Sequence, residues 1–272
     1  MTGVAVVGLG LIGGSIALGS NATGWDDNAT ARDLAQRRGI RTGTSLEDAV
    51  SGAALVFVAV STSETPAVLC ALAGIVPGAV LTDAASLKAT VLQSALLLPP
   101  GVRFVGGHPM AGAATPGIAG ASADLFAGRP WLIVPGARGD AAAVALVREE
   151  VLRLRAIPVI LDADRHDAAM TWISHLPMAV SAALARVVVR ELGEEAGTLA
   201  GPGLTDTTRL AGSRPELALE LLLSDPPRLA AALQSISREI AGFAAQLEKG
   251  DVAALEEFLS EAARARKTIR PA

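Results

Sequence analysis

Val4-Ala5-Val6-Val7-Gly8-Leu9-Gly10-Leu11-Ile12-Gly13-Gly14-Ser15 decides how the first half of this chain folds. A β-branched run leads into Gly8, Gly10 and Gly13, and an apolar, Ala-rich segment follows. This order of residue types predicts a strand, a tight turn and the start of a helix, as in a dinucleotide-binding unit. Gly8 permits the turn, Gly10 leaves space for a pyrophosphate to approach the backbone, and Gly13 lets helix and strand pack closely. The unpaired amides at Leu11, Ile12 and Gly13, with the positive end of the helix dipole, suit a phosphate. A glycine turn in some other α/β protein is the plainer reading of the same letters.

The alternation continues outward from that stretch. Strand signals fall at Gly3–Val7, Thr23–Asp26, Ala54–Val60, Ala79–Thr82, Arg103–Val105, Trp131–Val134 and Pro158–Leu161. Helical intervals are expected at Thr30–Arg38, Thr65–Leu72 and Ala85–Leu97. The expected fold is α/β, a Rossmann-like doubly wound sheet over residues 1–161, joined to an all-helical domain over residues 162–272 whose long helix suits the centre of that domain or an intertwined dimer. Arg165–Leu192 runs 28 residues without glycine and is interrupted only by Pro177, which predicts one long, kinked and mostly buried helix.

Composition narrows the function classes. The chain has 272 residues, 51 % of them hydrophobic and 18 % charged, with a formal charge of −4, so disorder, nucleic acid and anionic membranes are poor fits. Cys70 is the single cysteine, which removes an internal disulfide framework and a cysteine-based zinc site; no metal is expected. The N-terminus has no basic region before its glycine-broken apolar run, and the other apolar stretches are likewise interrupted. A soluble, cytoplasmic protein is expected.

Ligands of doubly wound sheets bind beyond the carboxyl ends of the strands. Ser61 follows one such end and either caps the next helix or also touches cofactor. Ser86 follows another. Gly106-Gly107-His108-Pro109-Met110-Ala111-Gly112 follows a third and places His108 in a loop between glycines. Hydride transfer from a hydroxyl-bearing carbon needs a group that takes the hydroxyl proton, and an imidazole suits this. Ser86 would bind the same hydroxyl or steady the ring. His166, next to Asp167 at a helix start, reads as a surface or capping residue. His175 reads either as a core histidine or as one near the site. Arg209 suits a carboxylate, or pairs with Asp206.

These motifs together resemble the prephenate/arogenate dehydrogenase family of tyrosine biosynthesis. The similarity runs from Val4 to about Ala265 through the glycine turn, Thr82–Lys88, Gly106–Gly112, His166-Asp167 with Ser174-His175-Leu176-Pro177, and Asp206-Thr207-Thr208-Arg209. The resemblance implies oxidative decarboxylation. His108 is the catalytic group on the ring hydroxyl, Ser86 assists it, Arg209 holds a substrate carboxylate and His175 lies near the site. It also implies NAD as cofactor and a homodimer formed through the C-terminal helices. Met178 stands where many prephenate-preferring members carry histidine, which leaves the side-chain preference between prephenate and arogenate open. Thr205 stands where a basic residue is common. No regulatory domain is expected beyond Lys267 and no mutase domain before Met1. A β-hydroxy-acid dehydrogenase is disfavoured because Arg165–Leu192 contains no lysine. A redox sensor that only binds dinucleotide would need neither His108 nor Arg209.

Asp26 is the expected ribose ligand, with no arginine beside it in sequence to welcome a 2′-phosphate. It lies only 13 residues past Gly13, against about 20 in the usual pattern. A shortened first helix or a missing loop accounts for the difference.

Overall fold

The computed structural model of the chain describes residues 3–113 and 115–269. It divides into two compact units, residues 1–167 and 168–272.

The first unit is the expected doubly wound sheet. In chain order it comprises β1 (Gly3–Val7), α1 (Leu11–Ser20), β2 (Thr23–Trp25), α2 (Ala29–Arg37), β3 (Arg41–Thr42), α3 (Leu46–Val50) and β4 (Ala53–Val58). There follow α4 (Thr65–Ile75), β5 (Val80–Asp83), α5 (Lys88–Leu96), β6 (Arg103–Pro109), β7 (Pro130–Val134), α6 (Ala141–Arg153) and β8 (Ile157–Ile160). The strands lie in the order β3-β2-β1-β4-β5-β6-β7-β8. Every neighbouring pair is parallel except β6 and β7. Strand order reverses between β1 and β4, the position where such sheets open a crevice for ligands.

Alternate residues of the central strands feed two separate cores. On β1 and β4, Val6, Leu55 and Phe57 pack to one side with Ile16, Phe126 and Trp131. Ala5, Val7, Val56 and Val58 pack to the other with Leu69, Leu81 and Phe104. A parallel sheet covered on both faces requires such unbroken apolar runs. The small elements β3 and α3, and the longer α6, go beyond the intervals expected from sequence.

The short spacing from Gly13 to Asp26 has a direct cause. Helix α1 has ten residues and β2 three. Ten helical residues rise about 15 Å, close to the roughly 16 Å of a five-residue strand, so the chain returns to the start of the sheet without a further turn. Asn21 ends the helix in the left-handed conformation (φ 53°), its amide bonding to the carbonyl of Ala17. Asparagine tolerates that conformation better than most residues.

The second unit is helical. After α7 (Ala163–Met170), which crosses the boundary between units, come α8 (Leu176–Leu192), α9 (Glu195–Leu199), α10 (Pro202–Thr208), α11 (Pro215–Leu222), α12 (Pro226–Lys249) and α13 (Val252–Thr268). The expected single kinked helix is instead α7 and α8 joined by a π-helical turn at Thr171–His175. The wider turn lies just ahead of Pro177, which sits in the first turn of α8, where its missing amide costs little.

Two expectations are corrected here. The helix is not mostly buried in one chain, because Trp172 and Ile173 are 53 % and 59 % exposed and Val187 and Val189 face solvent too. Nor is every apolar stretch interrupted: 163–192 is helical throughout, and by length and composition alone it is long enough to cross a membrane.

Candidate active site

At the strand-order reversal, a cavity of about 550 Å³ is lined by Val7, Gly8 and Gly10 after β1, by Trp25, Asp26 and Asn28 after β2, and by Ala59, Val60 and Glu64 after β4. The three fingerprint glycines play different parts. Gly8 has φ +95°, and an added Cβ would lie 2.6 Å from the carbonyl oxygen of Ala59. At Gly13 a Cβ would fall 1.8 Å from the carbonyl oxygen of Gly8. At Gly10 it would meet nothing within 4 Å. Gly8 and Gly13 are therefore demanded by the fold itself, whereas Gly10 keeps open space in front of the helix. Gly10 is also the N-cap of α1 and supplies no side-chain cap, so the first-turn amides of Leu11, Ile12 and Gly13 are left as donors for an anion.

Asp26 holds this turn together. Its Oδ2 accepts the amide of Leu9 at 2.7 Å and its Oδ1 the amide of Asn28 at 3.0 Å. The carboxylate therefore faces the glycine turn while lining the cavity. An arginine absent from the adjacent sequence is present in space. Arg32 stacks on Trp25, 4.5 Å from the ring centroid, and its Nη1 donates to the carbonyl oxygens of Asp26 (2.6 Å) and Asp27 (3.1 Å). Ser61 lies in the turn ahead of α4: its Oγ donates to Oε2 of Glu64 at 2.5 Å, and its carbonyl oxygen accepts the amide of Thr65 at 3.0 Å. Asp27 and Glu64 add two more acidic side chains to the cavity wall.

The second grouping in this unit surrounds His108. The ring is not in a loop. Strand β6 continues through it to Pro109 because β7 pairs antiparallel alongside, with His108 opposite Leu132. His108 is 8 % exposed. Its Nδ1 lies 2.9 Å from Nε2 of His166, whose Nδ1 lies 2.7 Å from Oδ1 of Asp167. The Asp167 carboxylate also accepts the amides of Lys88 (3.3 Å) and Ala89 (3.1 Å) at the start of α5. Burial pushes the Asp167 carboxyl up. The hydrogen bond from His166 and the amides of Ala89 and Lys88 outweigh it and hold the group below its ordinary 3.8.

Behind His108, Lys88 and Asp83 form a fully buried ion pair. Lys88 donates to the carbonyl oxygen of Gly107 at 2.8 Å, and Asp83 accepts the amide of the same residue at 3.0 Å. Both backbone groups of the residue preceding His108 are thus held by side chains. Desolvation lowers the Lys88 pKa, and the charges of Asp83 and Asp167 oppose that shift. Ser86 is half-buried in the segment between β5 and α5.

His166, Asp167, Lys88 and Asp83 received no functional role from sequence. His166 is fully buried, not a surface residue. Its signal was available: it is one of only three histidines in the chain and directly precedes an acid.

The remaining candidates lie in the helical unit. His175 ends the π turn and is buried, as is Met178 in the first turn of α8. Arg209 opens a 3₁₀ turn at Arg209–Gly212 and is exposed. Ser181 on α8 accepts the amide of Ala211 at 3.1 Å, which fixes that turn against the helix.

Known proteins share both halves of this arrangement. Residues 17–159 match the nucleotide-binding domain of prephenate dehydrogenase, and residues 162–261 match its dimerization domain. A prephenate dehydrogenase of Bacillus subtilis is 31 % identical over 95 % of this chain and 74 % of its own length. The arogenate dehydrogenase structure from Synechocystis superposes with a TM-score of 0.81 at 28 % identity, covering 99 % of this chain and all of that one. Prephenate dehydrogenase from Aquifex aeolicus, solved with hydroxyphenyl propionate and NAD+, superposes with a TM-score of 0.88 at 25 % identity over 99 % of each chain. With a dinucleotide-type cavity, a buried histidine at a strand end and both domains matched in order, the chain belongs to the prephenate dehydrogenase family.

Proposed function

We propose that this chain is an NAD-dependent prephenate dehydrogenase, converting prephenate to 4-hydroxyphenylpyruvate and CO₂. The observation that carries this reading is the buried His108 ring, oriented by His166 in the same unit as the dinucleotide-type cavity. When bound, NAD supplies the hydride acceptor. The amides of Leu11, Ile12 and Gly13 would meet its pyrophosphate, and Asp26 its adenosine ribose. Ser61 reaches the same neighbourhood only through Glu64.

His108 takes the proton of the ring hydroxyl as hydride leaves the carbon bearing it. The electrons of the bond to the departing carboxylate then close the aromatic ring, CO₂ leaves, and the proton returns to the phenol oxygen. Ser86 shares the hydroxyl. The resemblance also assigns substrate contacts to Arg209, His175 and Met178, with the Arg209 guanidinium suited to a carboxylate.

Two features support NAD over NADP. Asp26, Asp27 and Glu64 would repel a 2′-phosphate, and Nη1 of Arg32 is engaged by two carbonyl oxygens. The apolar residues left exposed along α8 support a homodimer formed by the helical units. Arogenate is the second reading. It is favoured by the buried, apolar Met178 where many prephenate-preferring members carry histidine.

Initial rates with prephenate and with arogenate, each paired with NAD and NADP, test these assignments together. Good turnover of arogenate with negligible turnover of prephenate would remove the first reading, and preference for NADP would remove the cofactor assignment.

A further inference from the structure

The chain of contacts from His108 to Asp167 restricts where protons can sit. A carboxylate can only accept, so the 2.7 Å contact between Asp167 Oδ1 and His166 Nδ1 places a proton on that Nδ1. The amides of Lys88 and Ala89 also donate to Asp167, from the positive end of α5, and favour its ionised form. In its neutral form, His166 with that proton carries a lone pair on Nε2. That nitrogen lies 2.9 Å from His108 Nδ1, which must be the donor. One proton on Nδ1 leaves the lone pair of His108 on Nε2.

We propose that Asp167 acts through His166 as a positioning pair, fixing His108 as the Nδ1–H tautomer so that Nε2 is its basic nitrogen, and steadying the imidazolium formed when Nε2 takes a proton. This rests on the reading of His108 as the group that receives the substrate proton. Among the described residues, the ionisable groups at the relay are His166 and Asp167 from α7, Lys88 from α5 and Asp83 from β5. The last two neutralise one another behind Gly107. Among the described residues, Asp167 is the carboxylate in line with the two imidazoles and placed to balance a charge on them. The arrangement has the logic of a catalytic triad, in which a buried carboxylate selects the tautomer of a histidine, with a second imidazole inserted between acid and base.

A competing arrangement makes different predictions. A doubly protonated His166 would donate from Nε2 and force the lone pair of His108 onto Nδ1, leaving Nε2 unable to accept. Nitrogen-15 NMR of the ligand-free protein separates the two, because protonated and unprotonated ring nitrogens resonate far apart. With three histidines in the chain, single variants assign every signal. The expected spectrum near neutral pH has His108 protonated at Nδ1 and unprotonated at Nε2. An unprotonated His108 Nδ1, or a cationic His166 across the working pH range, overturns the proposal.

The kinetic arm uses Asp167→Asn. The carboxamide keeps an oxygen for the amides of α5 but presents an NH₂ to His166, which reverses both tautomers. We expect kcat to fall by about 10²- to 10⁴-fold, with KM for NAD and for prephenate changed by less than about threefold. The spectrum of the folded variant should show His108 protonated at Nε2. An unchanged spectrum and kcat would sink the relay. Should His166→Leu lower kcat while His166→Gln, which retains an acceptor for His108, lowers it equally, the positioning role is also lost. His108→Asn separates this proposal from the one beneath it. Full turnover by that variant removes His108 from the chemistry, whereas a dead His108→Asn beside an unaffected Asp167→Asn removes only the relay.

Discussion

Lys88 donates to the carbonyl oxygen of Gly107 at 2.8 Å from inside a fully buried ion pair with Asp83, which itself accepts the Gly107 amide at 3.0 Å. Two charges taken out of water gain little net stability from each other. Losing one of them leaves the other buried and uncompensated, which typically costs 3–5 kcal/mol. Lys88→Met should therefore lower the unfolding free energy by about 3–5 kcal/mol in denaturant titrations. Replacing both residues together, Lys88→Met with Asp83→Leu, should cost markedly less than the two single changes added, because no lone charge remains. Strict additivity would show that the pair does not act as a unit.

The glycine turn separates a folding requirement from a binding requirement. A Cβ at Gly13 would lie 1.8 Å from the Gly8 carbonyl oxygen, whereas one at Gly10 would meet open space with φ at −76°. Gly13→Ala should destabilise or unfold the α/β unit. Gly10→Ala should melt within about 2 °C of wild type, as expected for a change below roughly 0.5 kcal/mol. Its methyl group would nonetheless stand where a pyrophosphate approaches α1. NAD binding by calorimetry should weaken at least about tenfold, equivalent to roughly 1.4 kcal/mol. Unchanged affinity in a folded Gly10→Ala protein would place the cofactor elsewhere.

What was legible in the sequence follows from which interactions are local. The first unit was readable because β-branched runs, glycines and proline turns act within a few residues, and a sheet covered on both faces leaves unmistakable apolar strands. His108 was identifiable by its glycine neighbours, although its strand conformation was not. That conformation depends on β7, which pairs His108 with Leu132 from 24 residues away in sequence. The role of the His166–Asp167 pair was not legible for the same reason: its partners, His108 and the start of α5, are 58 and 79 residues distant. In the helical unit, the apolar letters of α8 were read as buried. Periodicity marks which face leaves water, but not whether its own chain or a second one covers it.

Glu150 supplies a prediction about pH. It is 3 % exposed on α6, and its Oε1 is a buried oxygen without a hydrogen-bond partner among the described residues, while Oε2 accepts from Arg153 at 3.3 Å. Desolvation raises its pKa above 4.5, and Arg153 offsets only part of that rise. For a carboxyl raised in the folded state, the favourable contribution is complete below 4.5, where both states are protonated. It is lost as pH rises through the folded value, because the unfolded chain ionises more readily. Glu150→Met should thus stabilise the protein at pH 7 by about 1 kcal/mol, the order of one unsatisfied buried group. The gain should shrink when melting is repeated near pH 4. A variant less stable than wild type at pH 7 would mean that the Arg153 contact outweighs the desolvation.

The exposed apolar residues of α8 bear on assembly. Val187 and Val189 are 43 % and 58 % exposed in one chain, and Trp172 and Ile173 in the preceding turn are more than half exposed. Scattered apolar residues on a surface need no explanation, but several along one 30-residue helical run, 163–192, do. Either a second copy covers them or a membrane does. The π turn, Pro177 and the buried polar Ser181, which accepts the amide of Ala211, favour packing against protein. Obligate homodimer interfaces bury such surfaces, and a charge placed at their centre carries an uncompensated desolvation cost of several kcal/mol. Val189→Glu should accordingly shift the proposed homodimer toward monomer in analytical ultracentrifugation, without detergent. Its far-ultraviolet circular dichroism should remain that of a folded protein. A wild-type protein that sediments as a monomer, or that needs detergent to stay in solution, would exclude the homodimer and leave the apolar face of α8 to another partner.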